Sequence, residues 1–336
     1  MCGHRRAPGG KELTAATLTV LSRPAAPLPV PLSRKKLDLN LDTELGLRSV
    51  VLRAPKERAV FRIQAAIGRA FRDYLQGEGF TEIHTPKLGR AGAEGGSSQF
   101  RLDYFGRKAV LAQSPQLYKQ AMVGVFERVY EIGPVFRAEK HATQRHLNEY
   151  TSLDLEMGFL HSFTDLMALE QGFLRRLVAL LRQEYAGELA LLGAELPDAE
   201  HIPAVRFDEA KRLAAEAYGY AIREPYDLEP EEEQHIGRYA KEVWGSDFVF
   251  VTHYPSKKRP FYAMDDPADP RYTLSFDLLF RGMEITTGGQ RIHNYGQQVE
   301  KLKARGMEPE DFSGYLLFHK HGAPPHGGLG IGLERL

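Results

Sequence analysis

One arginine and one glutamate near the middle of the chain are the first residues whose types and spacing could bind a nucleotide. Residues 135–139 and 150–156 have strand-like composition and flank a polar loop, so the pattern predicts a β-hairpin. Arg137 and Glu139 are two residues apart and would share one face of a strand. A guanidinium suits a phosphate, and a carboxylate accepts from an amino group such as that of adenine. The loop adds two donors, Arg145 and His146. A surface ion pair, contributing below roughly 1 kcal/mol, would give the same pattern.

Two carboxylates, Asp277 and Glu284, are candidate ligands of a divalent metal ion. The Arg-Gly pair at 281–282 favours a tight turn, so the two acids are expected on paired strands with both carboxylates on one face. Mg²⁺ prefers a few carboxylates together with phosphate oxygens, and Thr287 could add a hydroxyl. Because acidic residues usually face solvent, an ordinary solvated pair is the alternative.

Apolar periodicity indicates the elements that must position these residues. A spacing of three and four residues predicts helices at 60–75, 165–185, 208–218 and 231–243. Pro230 stands where a proline is tolerated at a helix start. Residues 247–252 and 274–280 have strand composition. We therefore expect an α+β fold with an antiparallel β-sheet flanked by helices and a helical insertion at about 160–245. No Gly-rich phosphate loop opens a helix, so a Rossmann fold is not expected.

The two ends of the chain differ from the middle. Residues 14–21 could form one strand, after which four closely spaced prolines interrupt regular structure. The alternative to such a strand is that residues 1–35 are a tail without regular structure. The glycine-dense stretch at 327–335 is, by itself, more typical of a loop than of a binding site.

Composition excludes several classes of protein. The 336 residues are 43% hydrophobic, which is enough for a large core, and 44 Lys+Arg balance 44 Asp+Glu, so nucleic acid could be bound only by a local patch. The single cysteine, Cys2, excludes an internal disulfide and a cysteine-rich zinc site. No apolar run approaches the roughly 20 residues of a membrane span, so we expect a soluble, cytoplasmic protein.

The hairpin also resembles motif 2 of the class II aminoacyl-tRNA synthetases. Residues 80–86 resemble motif 1 and residues 327–335 resemble motif 3. Residues 113–119 and 282–291 are similar to the aspartyl branch, specifically its archaeal type. The resemblance extends from about residue 12 to the end. It implies a catalytic domain at 57–336, a linker at 36–56 and, at 1–35, the remnant of an OB-fold anticodon-binding domain. Most of that barrel, and the helix that carries the last motif 3 arginine, are expected to be truncated.

The resemblance assigns roles to the charged residues at the nucleotide end. It implies that Arg137, Glu139 and Arg335 are catalytic. The implied ATP-binding residues are Arg137, Glu139, Arg145, His146, Leu147, Tyr150, Glu284, Gly332 and Arg335. The implied Mg²⁺ ligands are Asp277, Glu284 and Thr287, the last a position that is more often serine in the family.

The resemblance also assigns an amino-acid pocket. The implied aspartate-binding residues are Glu94, Gln116, Lys119, Arg137, Thr287 and Arg291. Glu94 would meet the ammonium, whereas Lys119 and Arg291 would meet the carboxylates. Asparaginyl enzymes of the family carry a glutamate at the position of Lys119, because an amide needs an acceptor and a carboxylate needs a cation. The lysine therefore favours aspartate.

The function implied is that of a homodimeric aspartate-tRNA ligase that uses ATP and Mg²⁺. It would form aspartyl-adenylate and charge tRNA(Asp), with tRNA(Asn) left open as a second acceptor. Because most of the anticodon barrel is missing, two alternatives stay open. One is a tRNA-independent paralogue that passes the adenylate to ammonia and makes asparagine, and the other is a catalytically silent binding module.

Overall fold

The computed structural model describes residues 4–7, 10–13, 15–34, 37–89, 99–139 and 147–336. The chain divides into two compact units, residues 1–58 and 59–336. The described elements up to residue 51 are strands β1 (His4–Ala7) and β2 (Gly10–Leu13) and helices α1 (Leu41–Gly46) and α2 (Arg48–Val51). β1 and β2 pair antiparallel.

The strand predicted at 14–21 is wrong, because residues 15–21 form neither helix nor strand. Strand formation needs a neighbour for the backbone hydrogen bonds, and here β1 and β2 satisfy each other as a two-stranded sheet. Local β-propensity therefore did not decide the outcome.

The predicted helices are all confirmed, with bounds shifted by a few residues. The remaining helices are α3 (Pro55–Gly77), α4 (Gln116–Phe126), α5 (Thr164–Glu184), α6 (Ala186–Leu192), α7 (Phe207–Tyr218), α8 (Pro230–Trp244), α9 (Tyr295–Ala304) and α10 (Ser313–Lys320). Pro230 is the first residue of α8, as expected, and the backbone N–H of Glu229 donates to Glu232 Oε2 at 3.0 Å. Both features satisfy the helix start.

The large unit is organised around an eight-stranded sheet. The further strands are β3 (Thr81–Glu82), β4 (Leu88–Gly89), β5 (Arg101–Tyr104), β6 (Arg107–Leu111), β7 (Arg128–Phe136), β8 (Glu149–Gly158), β9 (Ala204–Arg206), β10 (Phe248–Thr252), β11 (Ser275–Phe280), β12 (Met283–Gln290) and β13 (His326–Gly332). The strand order is β3-β7-β8-β13-β12-β11-β10-β9, and β4, β6 and β5 form a separate small sheet.

The predicted antiparallel sheet is confirmed at its centre and wrong at its two edges. β7 to β10 pair antiparallel through β8, β13, β12 and β11, whereas β3 pairs parallel with β7 and β9 pairs parallel with β10. Parallel neighbours need a long crossover, usually a helix. The crossover from β9 to β10 contains α7 and α8, so the insertion predicted as helical also supplies an edge strand.

Alternation along the strands separates the core from the opposite face. Leu153, Leu155 and Met157 of β8 join a buried apolar cluster with residues of α3 and α5. Because successive side chains on a strand point to opposite faces, the polar residues between them, Asp154 and Glu156, lie on the other face. That polar face of β8 is continued by its neighbours.

The glycine-dense stretch forms the central strand β13, although its composition is more typical of a loop. A Cβ at Gly328 would lie 2.0 Å from Glu156 Oε2 and 2.2 Å from the carbonyl oxygen of Leu155. A Cβ at Gly327 would lie 2.7 Å from the carbonyl oxygen of Gly289. The glycines are required because side-chain and backbone atoms of the neighbouring strands occupy the space that a Cβ would need.

Candidate active site

A cavity of about 420 Å³ lies on the polar face of the sheet. A volume of this size suits a small ligand such as a nucleotide. The residues predicted for a site that line it are Gln116, Lys119, Arg137, Glu139, Leu147, Tyr150, Glu284, Thr287, Arg291, Gly332 and Arg335. Glu94, Arg145 and His146 lie outside the described residues. Asp277 is described but is not among the lining residues.

Lys119 of α4 provides a buried cation at one end of the cavity. Its side chain is 3% exposed, and its Nζ lies 2.9 Å from Asp154 Oδ1 and 3.3 Å from Glu156 Oε2. Nζ also donates to the carbonyl oxygens of Leu155 and Leu329. Burying an ammonium is costly unless it is paired, so these acceptors offset that cost and fix Nζ in position.

Arg291 provides a second buried cation beside the first. Its Nε donates to Glu156 Oε1 at 3.0 Å, and its Nη2 donates to the carbonyl oxygen of Gly328 at 3.0 Å and to Gln116 Oε1 at 3.4 Å. Burial alone would raise the pKa of Glu156, but Arg291 and Lys119 together lower it below its ordinary value. Glu156 therefore stays ionised and holds both cations at one end of the cavity.

A neutral histidine supports this arrangement from behind. His326 Nδ1 lies 2.8 Å from the carbonyl oxygen of Pro324, which can only accept, so Nδ1 carries the proton. Nε2 then accepts from Gln120 Nε2 at 2.8 Å, and Gln120 Oε1 accepts from Gln116 Nε2 at 3.0 Å. Burial lowers the pKa of His326 to about 4. The chain of hydrogen bonds thus fixes the Gln116 amide against Arg291.

The predicted hairpin is present, but its first strand ends earlier than predicted. β7 and β8 pair Val135 with Tyr150, but β7 ends at Phe136, so the prediction that Arg137 and Glu139 lie on the strand is wrong. The N–H of Glu139 donates to the carbonyl oxygen of Arg137 at 2.8 Å, a local turn that competes with strand pairing. Arg137 is exposed, with its Cζ 5.7 Å from the centre of the Tyr150 ring. Both side chains still line the cavity.

Arg335 lines the cavity and contacts Glu284 of β12. Its Nη1 donates to the carbonyl oxygen of Glu284 at 2.8 Å and lies 3.4 Å from Glu284 Oε1. The neighbouring Glu334 accepts from the backbone N–H of Thr151 at 3.1 Å, which ties the residues after β13 to β8. These contacts position the Arg335 guanidinium along the cavity wall.

Asp277 and Glu284 lie on paired strands, as predicted, although a β-bulge separates them. Asp277 is opposite Thr287 and Leu279 is opposite Glu284, with a register shift between Leu278 and Leu279. The Asp277 side chain is buried and lies 2.8 Å from Arg259 Nη2. Burial raises the pKa of Asp277 to about 6, with a further rise from Glu284 and a lowering by Arg259. Because Asp277 is buried and paired with Arg259, the two acids do not form an ordinary solvated pair.

Comparison with known proteins places this geometry in a family. The family model described as tRNA synthetases class II (D, K and N) matches residues 40–336. An aspartate-tRNA(Asp/Asn) ligase from Thermus thermophilus is 53% identical over 99% of this chain and 78% of its own length. An aspartate-tRNA(Asp) ligase from Pyrococcus horikoshii is 41% identical over 97% of this chain and 75% of its own length.

This chain belongs to the class II tRNA synthetases. This chain is similar to the solved structure of asparaginyl-tRNA synthetase from Pyrococcus horikoshii in complex with asparaginyl-adenylate. The TM-score is 0.89 and the sequence identity is 31%. The match covers 98% of this chain and 75% of that one. These findings confirm the predicted family and α+β fold, and they do not favour the ammonia-dependent or the silent alternative.

The metal expected for a class II synthetase can be tested against the residues present. Asp277 is buried opposite Thr287, and its Oδ1 lies 2.8 Å from Arg259 Nη2. Thr287 Oγ1 donates to Glu284 Oε1 at 3.3 Å, so three hard oxygen donors are close together. The described part of the chain contains no group of three or more His, Cys, Asp or Glu side chains placed to hold a metal ion, so the protein would supply no more than these two carboxylates and the hydroxyl. Two carboxylates and a hydroxyl fit Mg²⁺, which also takes phosphate oxygens and water.

Sequence reasoning missed the acids that hold the cations of the synthetase. Asp154 and Glu156 are in the return strand of the hairpin, and their alternation with apolar residues is a signal that they face the site. Arg259 was also missed, and it lines the cavity. It follows a loop segment without periodicity, so no sequence pattern identifies it.

The described residues include no helix long and apolar enough to cross a bilayer.

Proposed function

We propose that this synthetase is an aspartate-tRNA ligase that activates L-aspartate with ATP and transfers it to tRNA. The observation that carries the proposal is the pair of buried cations, Lys119 and Arg291, in the same cavity as Arg137 and Arg335. The first pair suits a dicarboxylate amino acid and the second pair suits a polyphosphate. The curated relatives named above are aspartate-tRNA ligases, which supports the same assignment.

The amino-acid end selects a carboxylate through charge. Lys119 and Arg291 together balance two buried acids, Asp154 and Glu156, which fix the positions of both cations. The charge of a substrate carboxylate would be attracted to both cations, whereas the amide of asparagine is neutral and would bring its N–H donors towards them. A site built for one polar group rejects an analogue that leaves its buried groups unpaired.

Activation is an in-line displacement that needs positioning and neutralisation of charge. The α-carboxylate of aspartate attacks the α-phosphorus of ATP, a new P–O bond forms, and pyrophosphate leaves with the electron pair of the broken bond. Arg137 stabilises the charge that develops on the α-phosphate, Arg335 holds the leaving phosphates, and Glu139 accepts from the adenine amino group. Tyr150 offers a ring beside Arg137 for the adenine face. No protein nucleophile is required.

Asp277, Glu284 and Thr287 would hold Mg²⁺ in this proposal. The ion would neutralise the phosphate charge when bound. Without the ion, Asp277 still holds Arg259 in position, and Glu284 still holds Arg335. We further propose a homodimer in the cytoplasm. The exposed apolar side chains Phe61, Val125 and Phe126 support an interface on the large unit.

Charging of tRNA provides the test of the whole reaction. Labelled aspartate, ATP and Mg²⁺ are incubated with the enzyme and transcripts of tRNA(Asp) and tRNA(Asn). We expect charging of both, because the relative with 53% identity is named for both acceptors. Charging of tRNA(Asp) alone would remove the second acceptor. Aspartate-dependent pyrophosphate release without charging of either tRNA would contradict the ligase assignment.

A further inference from the structure

Arg259 is a buried arginine of the cavity wall to which none of the roles above has been assigned. It follows the short 3₁₀ turn Ser256–Lys258, its side chain is 10% exposed, and it lines the cavity. A buried arginine keeps its charge and must find acceptors for its N–H groups. Its surroundings show that this requirement is only partly met.

The contacts of Arg259 fix its position but leave a donor unused. Its Cζ lies 3.9 Å from the centre of the Tyr254 ring, and its Nη2 lies 2.8 Å from Asp277 Oδ1. Nη2 is engaged in the ion pair with Asp277, whereas the buried Nε makes no hydrogen bond within the described residues. The tyrosine and Asp277 therefore hold the guanidinium at the cavity wall, and its Nε–H still lacks an acceptor.

The charge of the cavity indicates what that donor binds. Among the described residues, six cationic and four acidic side chains line it, so an anionic occupant is favoured. The six are Lys119, Arg137, Lys258, Arg259, Arg291 and Arg335, and the four are Glu139, Asp154, Glu284 and Glu334. Buried donors without acceptors cost free energy that an anion would recover.

The acidic neighbours of Arg259 locate it within the cavity. Arg259 contacts Asp277, and Arg335 contacts Glu284, the two acids on neighbouring strands β11 and β12. Lys119 and Arg291 instead contact Glu156. Arg259 is therefore linked through Asp277, Thr287 and Glu284 to Arg335.

We propose that Arg259 binds the β- and γ-phosphates of ATP, together with Arg335, and so holds pyrophosphate as it leaves. The inference rests on the proposed function, because it assigns a further residue to the same nucleotide site. Tyr254 and Asp277 hold the guanidinium ready, which lowers the entropy cost of binding. The part of ATP that Arg259 contacts is absent from AMP, and this difference makes the inference testable.

The experiment compares ATP with AMP in equilibrium binding by calorimetry, using the full chain in EDTA so that no metal contributes. Arg259→Met removes the guanidinium, and loss of a charged hydrogen bond weakens binding by about 10- to 100-fold. We expect this increase in the Kd for ATP and a change below about 2-fold in the Kd for AMP. Arg271→Met is the matched control, because Arg271 pairs with Asp269 and lies near the Tyr272 ring outside the cavity lining. The control is expected to change neither constant.

An unchanged Kd for ATP in Arg259→Met, or equal weakening of ATP and AMP, would overturn the inference in favour of a structural role. If the methionine variant does not fold because Asp277 is left unpaired, Arg259→Lys decides. The lysine keeps the charge but loses the fork of donors, so ATP is expected to weaken about 3- to 10-fold with AMP unchanged. No selective loss for ATP would overturn the inference. Failure of the wild-type enzyme to exchange pyrophosphate with aspartate would contradict the proposed function instead, and ATP binding would still decide the role of Arg259.

Discussion

Replacing Lys119 with methionine removes the buried charge on which aspartate recognition depends while keeping much of the side-chain volume. The ammonium lies between Asp154 and Glu156, with Nζ 2.9 Å and 3.3 Å from their carboxylate oxygens. After the change, Glu156 keeps Arg291, and Asp154 keeps the hydroxyl of Ser152. Lys119 is the one ion-pair partner of Asp154 within the described residues, so its removal leaves a buried carboxylate without a cation.

The expected cost follows from that loss. Breaking a buried ion pair by removing one partner destabilises a protein by about 3 to 5 kcal/mol. At about 2 °C per kcal/mol for a chain of this size, the melting temperature should fall by about 6 to 10 °C. Aspartate-dependent exchange of pyrophosphate into ATP should fall by at least about 10-fold, since one charged hydrogen bond to the substrate is lost. Differential scanning fluorimetry and the exchange assay measure the two effects.

Lys211→Met is the matched control. Lys211 is equally buried, with Nζ 2.7 Å from Glu232 Oε2 and bonds to the carbonyl oxygens of Glu224 and Asp227, but it lies outside the cavity lining. Its loss should lower the melting temperature similarly and leave the KM for aspartate unchanged. If Lys119→Met kept the wild-type KM for aspartate, or if both variants raised it equally, the argument from Lys119 to substrate selection would be refuted.

Three further changes test other parts of the structure. Arg137→Met should lower the rate of pyrophosphate exchange by about 100-fold or more, because the guanidinium acts on the charge that develops in the transition state. The melting temperature should not change, because the side chain is exposed. An undiminished exchange rate would remove Arg137 from the mechanism. Gly328→Ala should lower the free energy of unfolding, measured with urea, by about 3 kcal/mol or more, because the new Cβ would lie 2.0 Å from Glu156 Oε2. The control Gly314→Ala in α10 places a Cβ with no atom within 4 Å, so it should raise the free energy of unfolding by about 0.5 to 1 kcal/mol. Burial raises the pKa of Glu170 to about 8 from 4.5, so the folded state binds an extra proton between these pH values and stability falls as pH rises through them. Glu170→Gln should flatten that decline in urea titrations from pH 5 to 8, and an identical slope in both proteins would contradict the assignment.

The elements that were predictable from sequence are those whose pattern is local. Helix α5 follows from apolar residues at intervals of three and four, and the hairpin β11–β12 follows from Arg281-Gly282, both of which have positive φ in the structure. The strand ending at Phe136 and the unformed strand at 14–21 depended on available backbone partners, which composition does not reveal.

The candidate site was predictable where residue type alone limits the chemistry. Lys119 and Arg291 were found through the resemblance, and both line the cavity. The pairing of Lys119 with Asp154, 35 residues away, and of Arg259 with Asp277 depends on how distant strands meet. Such contacts follow from the topology of the whole sheet, so no window of sequence could indicate them.

Exchange of labelled pyrophosphate into ATP, with Mg²⁺ and without tRNA, tests the central claim most directly. The reaction is run in parallel with aspartate and with asparagine at equal concentrations. Because the buried cations Lys119 and Arg291 suit a carboxylate, exchange is expected with aspartate and not with asparagine. Exchange with asparagine in preference to aspartate, or exchange with neither amino acid, would contradict the assignment of this cavity to aspartate activation.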